Sequence, residues 1–175
     1  MITEIRIRPR SYIEGILSGK NDPPVGPWYL LSIVSTPKEM LTTPSSLPIF
    51  QGKGLKRFIN LVFADITRQQ YEAHKAQFEL RALRPFDSEH AEHTVNFLLA
   101  VEKENETGVL IVHCDAGVSR SGAVGTFASD FLKVPLLNPE PLPNQHVLQT
   151  LYRYAKLTPS VKLPPVTKTT SESLF

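Results

Sequence analysis

Cysteine is nearly missing from this sequence. Cys114 is the only one, so no internal disulfide can form and the fold has to hold by packing alone. A lone thiol is either an inert buried residue or a nucleophile, and a reducing compartment is the expected setting. Long apolar runs are absent as well: none approaches the roughly 20 residues of a membrane-spanning helix, so no membrane partner is expected. The opening MITEIRIRPR has no apolar segment of the signal-peptide kind, which makes a cytoplasmic location the expectation. Excess charge is also small. Nineteen Lys and Arg against seventeen Asp and Glu leave a net +2, too little to imply a nucleic-acid partner. No internal repeat is visible, which excludes a solenoid.

The composition that remains is that of an ordinary globular domain, 41% hydrophobic and 21% charged over 175 residues, long enough for one well-filled core. Fifteen prolines gather in the connectors and stiffen them. We read one domain over residues 1–157 and a Ser/Thr/Lys/Pro-rich flexible tail over 158–175.

Short apolar runs alternate with longer helical patterns. Strands are predicted over residues 4–8, 29–34, 57–63 and 109–112. Helices are predicted over 11–19 with Ser11 as cap and Gly19 as stop, and over 68–83 with Pro85 behind it. Two more are predicted over 87–104, capped by Asp87 or Ser88, and from Arg120 onward. In the 87–104 helix Val95, Leu98, Leu99 and Val101 make the apolar side. In the helix after Arg120 the small residues Ala123, Gly125 and Ala128 allow a close approach to the sheet. Residues 135–143 read as a stiff connector, followed by a helix capped by Asn144 with Val147, Leu148, Leu151 and Tyr154 inward. This order predicts an α/β fold with a mainly parallel sheet of four to five strands covered by helices. Ligands of such sheets bind at the carboxyl ends of strands, where Cys114 and Asp65 would both stand.

The stretch GVLIVHCDAGVSRSGAVGTFA, residues 108–128, carries the chemistry. A strand runs directly into a glycine-containing loop and then a helix, and the unpaired N–H groups of such a junction attract anions. The thiol of Cys114 opens the loop and the guanidinium of Arg120 closes it; the amides, the helix and the guanidinium all favour a sulfur anion there. The planar fork of Arg120 suits two oxygens of one phosphate, which a lysine would not.

His113, Cys114, Gly117, Arg120 and Ser121 fill every specified position of His-Cys-x-x-Gly-x-x-Arg-Ser/Thr. The chain therefore resembles the cysteine-dependent protein tyrosine and dual-specificity phosphatases, and among them the compact branch of small bacterial and phage tyrosine-phosphatase-like proteins. The resemblance implies attack by Cys114 on phosphorus, with the phosphate held by Arg120 and by the backbone of Asp115, Ala116, Gly117, Val118, Ser119 and Arg120. Ser121 would hydrogen-bond the sulfur, and His113 would orient the loop through hydrogen bonds to backbone groups. Asp115 is an unwelcome charge in a phosphate loop, so its side chain is expected to point outward.

The resemblance also implies an aspartate acid on a separate loop. Asp65, just past a strand, stands where the family's acid usually does, and Asp87 is the other candidate at a helix-cap position. Taking Asp65 makes the segment 67–85 an insertion relative to the shorter family pattern. No metal or cofactor is implied, and the expected partner is a phosphorylated protein or a small phosphomonoester. His90 and His93 lie three apart on a helix with no third ligand type joined to them, so they read as solvated positions. Lys75, Arg81 and Arg84 read as a solvated basic face that could attract phosphorylated substrates. Phosphoinositide or RNA 5′-phosphate substrates, a catalytically silent phosphate-binding module and a rhodanese-type sulfur transferase are the other readings open here. The loop has no lysine of the lipid-directed kind, and its Arg120–Ser121 ending suits phosphate.

Overall fold

A computed structural model describes residues 1–139 and 142–156; the tail expected over 158–175 lies outside these. Five strands form the sheet: β1 (Ile2–Pro9), β2 (Trp28–Val34), β3 (Leu55–Val62), β4 (Gly108–Cys114) and the short β5 (Leu136–Leu137). They lie in the order β3-β2-β4-β1-β5 and every pair is parallel. β2 and β4 are buried along their whole length, which is why YLLSIV and VLIV read as continuous apolar runs rather than alternating ones.

The helices are α1 (Arg10–Ser18), α2 (Leu47–Gly52), α3 (Arg68–Ala73), α4 (Lys75–Leu80), α5 (Ser88–Glu102), α6 (Ser119–Leu132) and α7 (Gln145–Ala155). Right-handed crossovers send connections that run in opposite directions along the sheet to opposite faces. Two separate cores result. On one face Ile13, Ile16 and Phe50 of α1 and α2 pack on Trp28, Leu30, Val109 and Ile111. On the other, Leu98, Val124, Phe127 and Leu151 of α5, α6 and α7 pack on Leu31, Ile33, Leu110 and Val112. Successive strand residues face opposite ways, so Cys114 falls in with Leu110 and Val112, while its neighbour His113 points to the other face. A Cβ on Gly125 would come within 3.0 Å of Ile7, so the glycine allows α6 to lie as close to β1 as it does.

Several predictions of detail need correction. Ser11 does not cap α1: the chain turns at Pro9, and the helix begins one residue before Ser11, with the Arg10 amide donating to Asp115 O at 3.1 Å. The helix predicted over 68–83 breaks at His74 (φ −130°, ψ 29°) into α3 and α4 and ends before Pro85 is reached. The stiff connector 135–143 contains β5, paired with Ile5 and Arg6 of β1. Leu99 is 38% exposed, whereas Val95, Leu98 and Val101 are buried as expected and Ala91, Thr94 and Phe97 complete the buried side of α5. Tyr154 is 41% exposed and Tyr152 takes the inward place, its hydroxyl donating to Asp130. Gly19 does end α1 with φ +74°, Asp87 caps α5 and Asn144 caps α7.

Candidate active site

Cys114 ends β4 and is 3% exposed. The chain then crosses the end of β1, and Gly117 permits this: its φ is +75°, and a Cβ there would lie 2.7 Å from Pro9 N and 2.8 Å from Arg8 C. The N–H groups of Ala116, Gly117 and Val118 donate to no protein acceptor among the described residues. Three consecutive unpaired amides leading into α6 are free to donate to an anion. Ser121, fully buried in the first turn of α6, places its Oγ 3.2 Å from the Cys114 Sγ.

The Arg120 guanidinium is 5% exposed and is tied by three loops. Its Nη1 donates to Ser35 Oγ at 2.9 Å and to Phe63 O at 3.0 Å, and its Nη2 donates to Asp115 Oδ2 at 2.7 Å. Ser35 follows β2 and Phe63 follows β3, so the carboxyl ends of three adjacent strands meet at this one cation. Asp115 is half exposed, as the outward orientation suggested by the sequence requires, but its carboxylate is not free. It turns back onto Arg120, with Arg10 Nη1 3.9 Å from its second oxygen. The reason is the cation itself: a buried guanidinium needs a counter-charge, and Asp115 is the carboxylate within its reach.

Asp65 follows β3 on the same side of the sheet. Its Oδ1 accepts from Ser119 Oγ at 3.1 Å and from Asn144 Nδ2 at 2.5 Å, which pins it against the first turn of α6. Asp87 is committed elsewhere. Its Oδ1 accepts the amides of Glu89 and His90, and the His90 ring lies 2.7 Å away. Burial pushes its pKa up, but the bonds to His90 and Glu89 outweigh that and hold the carboxyl below its ordinary range. A group held ionised in this way suits a cap better than a proton donor. The structure thus bonds Ser121 to Cys114, Arg120 to Asp115 and Ser119 to Asp65, while the bonds of Asp87 run to its own helix.

His113 does not make the backbone hydrogen bonds expected of it. It is fully buried, and neither ring nitrogen has a partner. Its register partner Ser32 on β2 carries an unpartnered Oγ as well, so two polar side chains meet under the loop on the face opposite Cys114. Burial pushes the His113 imidazole down to about 4, with the Arg10 and Arg120 charges adding to the effect and the Cys114 backbone opposing it. Between about 4 and 6.5 the folded state then holds fewer protons than the unfolded one, so stability is complete above that window and falls as pH falls through it. Urea unfolding of the wild type should lose up to about 3 kcal/mol across this window, and His113→Gln should show a flatter profile. Parallel profiles for the two proteins would mean that His113 is not held neutral.

His90 is not a simple solvated residue either. Besides Asp87 it meets Val62 O through Nε2 at 3.0 Å. No group of three metal-ligating side chains is found among the described residues, and no helix there is long and apolar enough to cross a membrane. Ser35 and the Phe63 carbonyl were not recognisable as site residues from sequence. The one available signal was Ser35's place directly after an apolar strand, the same signal that marked Asp65. No protein-family model, curated protein or solved structure matches this chain.

Proposed function

We propose that this protein is a phosphomonoester hydrolase of the cysteine-dependent kind, acting on phosphotyrosine, and on phosphoserine or phosphothreonine, in protein substrates through a cysteinyl-phosphate intermediate. The observation that carries the reading is the convergence of a buried sulfur, a serine hydroxyl on that sulfur, a buried guanidinium and three unpaired amides at one strand–helix junction.

In the first step the Cys114 sulfur attacks phosphorus in line. The bond to the leaving oxygen breaks as Asp65 delivers a proton to that oxygen. Arg120 and the amides of Ala116, Gly117 and Val118 hold the equatorial oxygens as charge builds on them. Asp115 yields the Arg120 Nη2 to the incoming phosphate and keeps Arg10 as its neighbour. In the second step water attacks phosphorus, Asp65 takes the water's proton, and the sulfur–phosphorus bond breaks with the Ser121 hydroxyl donating to the departing sulfur. Every proton and electron pair in this scheme has a place on the chain itself, so it calls on no metal or cofactor. A cytoplasmic location suits a free thiol nucleophile.

The test is turnover of an aryl phosphate in the presence of a chelator, with rapid acid quench and intact-mass analysis. We expect steady turnover and one phosphoryl group on a Cys114-containing peptide at early times. Phosphate binding without turnover would replace the hydrolase with a binding module, and turnover with no adduct on Cys114 would overturn the covalent route.

A further inference from the structure

A cavity of about 540 Å³ lies apart from Cys114. It opens beside the Asp65 corner, between the segment that follows β3 and helix α7. Its walls include Arg68 and Tyr71 of α3, Arg84, and Arg153 and Tyr154 of α7. Three contacts fasten it to the catalytic corner. The Ala64 amide donates to Arg84 O at 2.7 Å, His146 Nε2 meets Phe86 O at 2.9 Å, and Asn144, the cap of α7, donates to Asp65. The segment 67–85, longer than the family pattern needs, thus builds one wall of a cleft that starts at the candidate acid.

Three arginines and two carboxylates, Glu72 and Asp87, line the cleft, and part of the positive charge is uncommitted. Arg68 has Glu72 at 3.9 Å, and Asp87 is occupied by its cap bonds. Among the described residues Arg84 and Arg153 have no ion pair and no side-chain hydrogen bond, and both are exposed. Two free guanidiniums facing one cavity bind carboxylate or phosphate oxygens well, since each presents a planar fork of donors. Tyr71 is stacked on Phe78 at 15° and Phe86 is buried, so the exposed ring of Tyr154 is the main aromatic face the lining offers. We propose that this cleft binds an anionic residue flanking the phosphorylated residue of a protein substrate, held by Arg84 and Arg153. The anion is an acidic side chain or a second phosphate. The proposal rests on the hydrolase reading above for the position of the first phosphate.

Its test is fluorescence anisotropy with three labelled phosphotyrosine peptides that differ only in their flanks: alanine, glutamate, or one added phosphoserine. Each is bound to Cys114→Ser protein with and without Arg84→Gln and Arg153→Gln. The glutamate and phosphoserine peptides should bind about fivefold tighter than the alanine peptide. The double arginine change should erase that gap and leave the alanine peptide's affinity as it was. With Cys114 restored, the same double change should raise KM for the acidic peptides and leave aryl phosphate turnover unchanged. The order of the two acidic peptides tells which anion is preferred. Equal affinity for all three peptides, or a preference that survives the double change, overturns the proposal. A 5′-phosphorylated oligonucleotide bound more tightly than every peptide and released by the arginine changes would also overturn it, in favour of RNA. Because anisotropy needs no catalysis, an acidic preference that persists while aryl phosphate is not hydrolysed would sink the hydrolase reading alone.

Discussion

Cys114→Ser should lower aryl phosphate turnover by a factor on the order of 10⁴ or more, the scale seen when a covalent hydrolase loses its nucleophile. The substitution changes one atom in a pocket where the side chain is 3% exposed, and the new hydroxyl can keep the contact with Ser121. Folding should therefore be nearly unaffected, with a melting temperature within a few degrees of wild type as the control. On the hydrolase reading what disappears is the nucleophile: an alcohol is a far weaker acid than a thiol, and Asp65 holds the leaving group's proton in the first step and is not free to act as a base then. The binding parts remain, since Arg120 and the loop amides are untouched. Phosphate should still bind to the variant, as isothermal titration can measure. Lost turnover with kept binding separates a nucleophile from a buried cysteine that merely fills space. Turnover within tenfold of wild type would remove the sulfur from the chemistry.

The division between what could and could not be read from the sequence follows the range of the interactions involved. β2, β4 and the loop after Cys114 were legible because burial on both faces leaves an uninterrupted apolar run, and because one glycine and one arginine sit at set distances along the same few residues. The caps at Asp87 and Asn144 were legible for the same reason, since an N-cap bonds amides two or three residues on. β5 was not legible. Two leucines between prolines become a strand only because β1 offers a free edge. Nor could the break at His74 be seen in a stretch of good helix formers, where propensity is uniform and tertiary position decides. At the site the same limit applies. Nothing near Arg120 in sequence points to Ser35 or to the Phe63 carbonyl, which reach it from two other strands. The bond from Arg120 to Asp115 was not legible because the sequence shows a carboxylate in the loop but not that the loop's cation is buried and needs a counter-charge.

Asp65→Asn should cost between about 10² and 10⁴ in kcat, the range for a positioned general acid, and the loss should depend on the leaving group. A nitrophenolate departs with little help, so its ester sits at the low end. An alkyl phosphate or a phosphoserine peptide needs a proton on the departing oxygen and should sit at the high end. This dependence is what a structural role would not produce. Asn can accept from Ser119 and Asn144 through its single oxygen, so the corner should stay closed and stability should barely move. Asp87→Asn supplies the contrast. It keeps a side-chain oxygen for the two amides and loses only the charge toward the helix end and the His90 ring, about 0.5 kcal/mol of stability, and should leave turnover of both ester types close to wild type. If the two variants exchange these signatures, the acid is Asp87 and the Asp65 corner is a hinge between β3 and α7. If Asp65→Asn slows both esters equally, Asp65 acts by positioning Ser119 at the mouth of the loop, and the proton reaches the leaving oxygen from water.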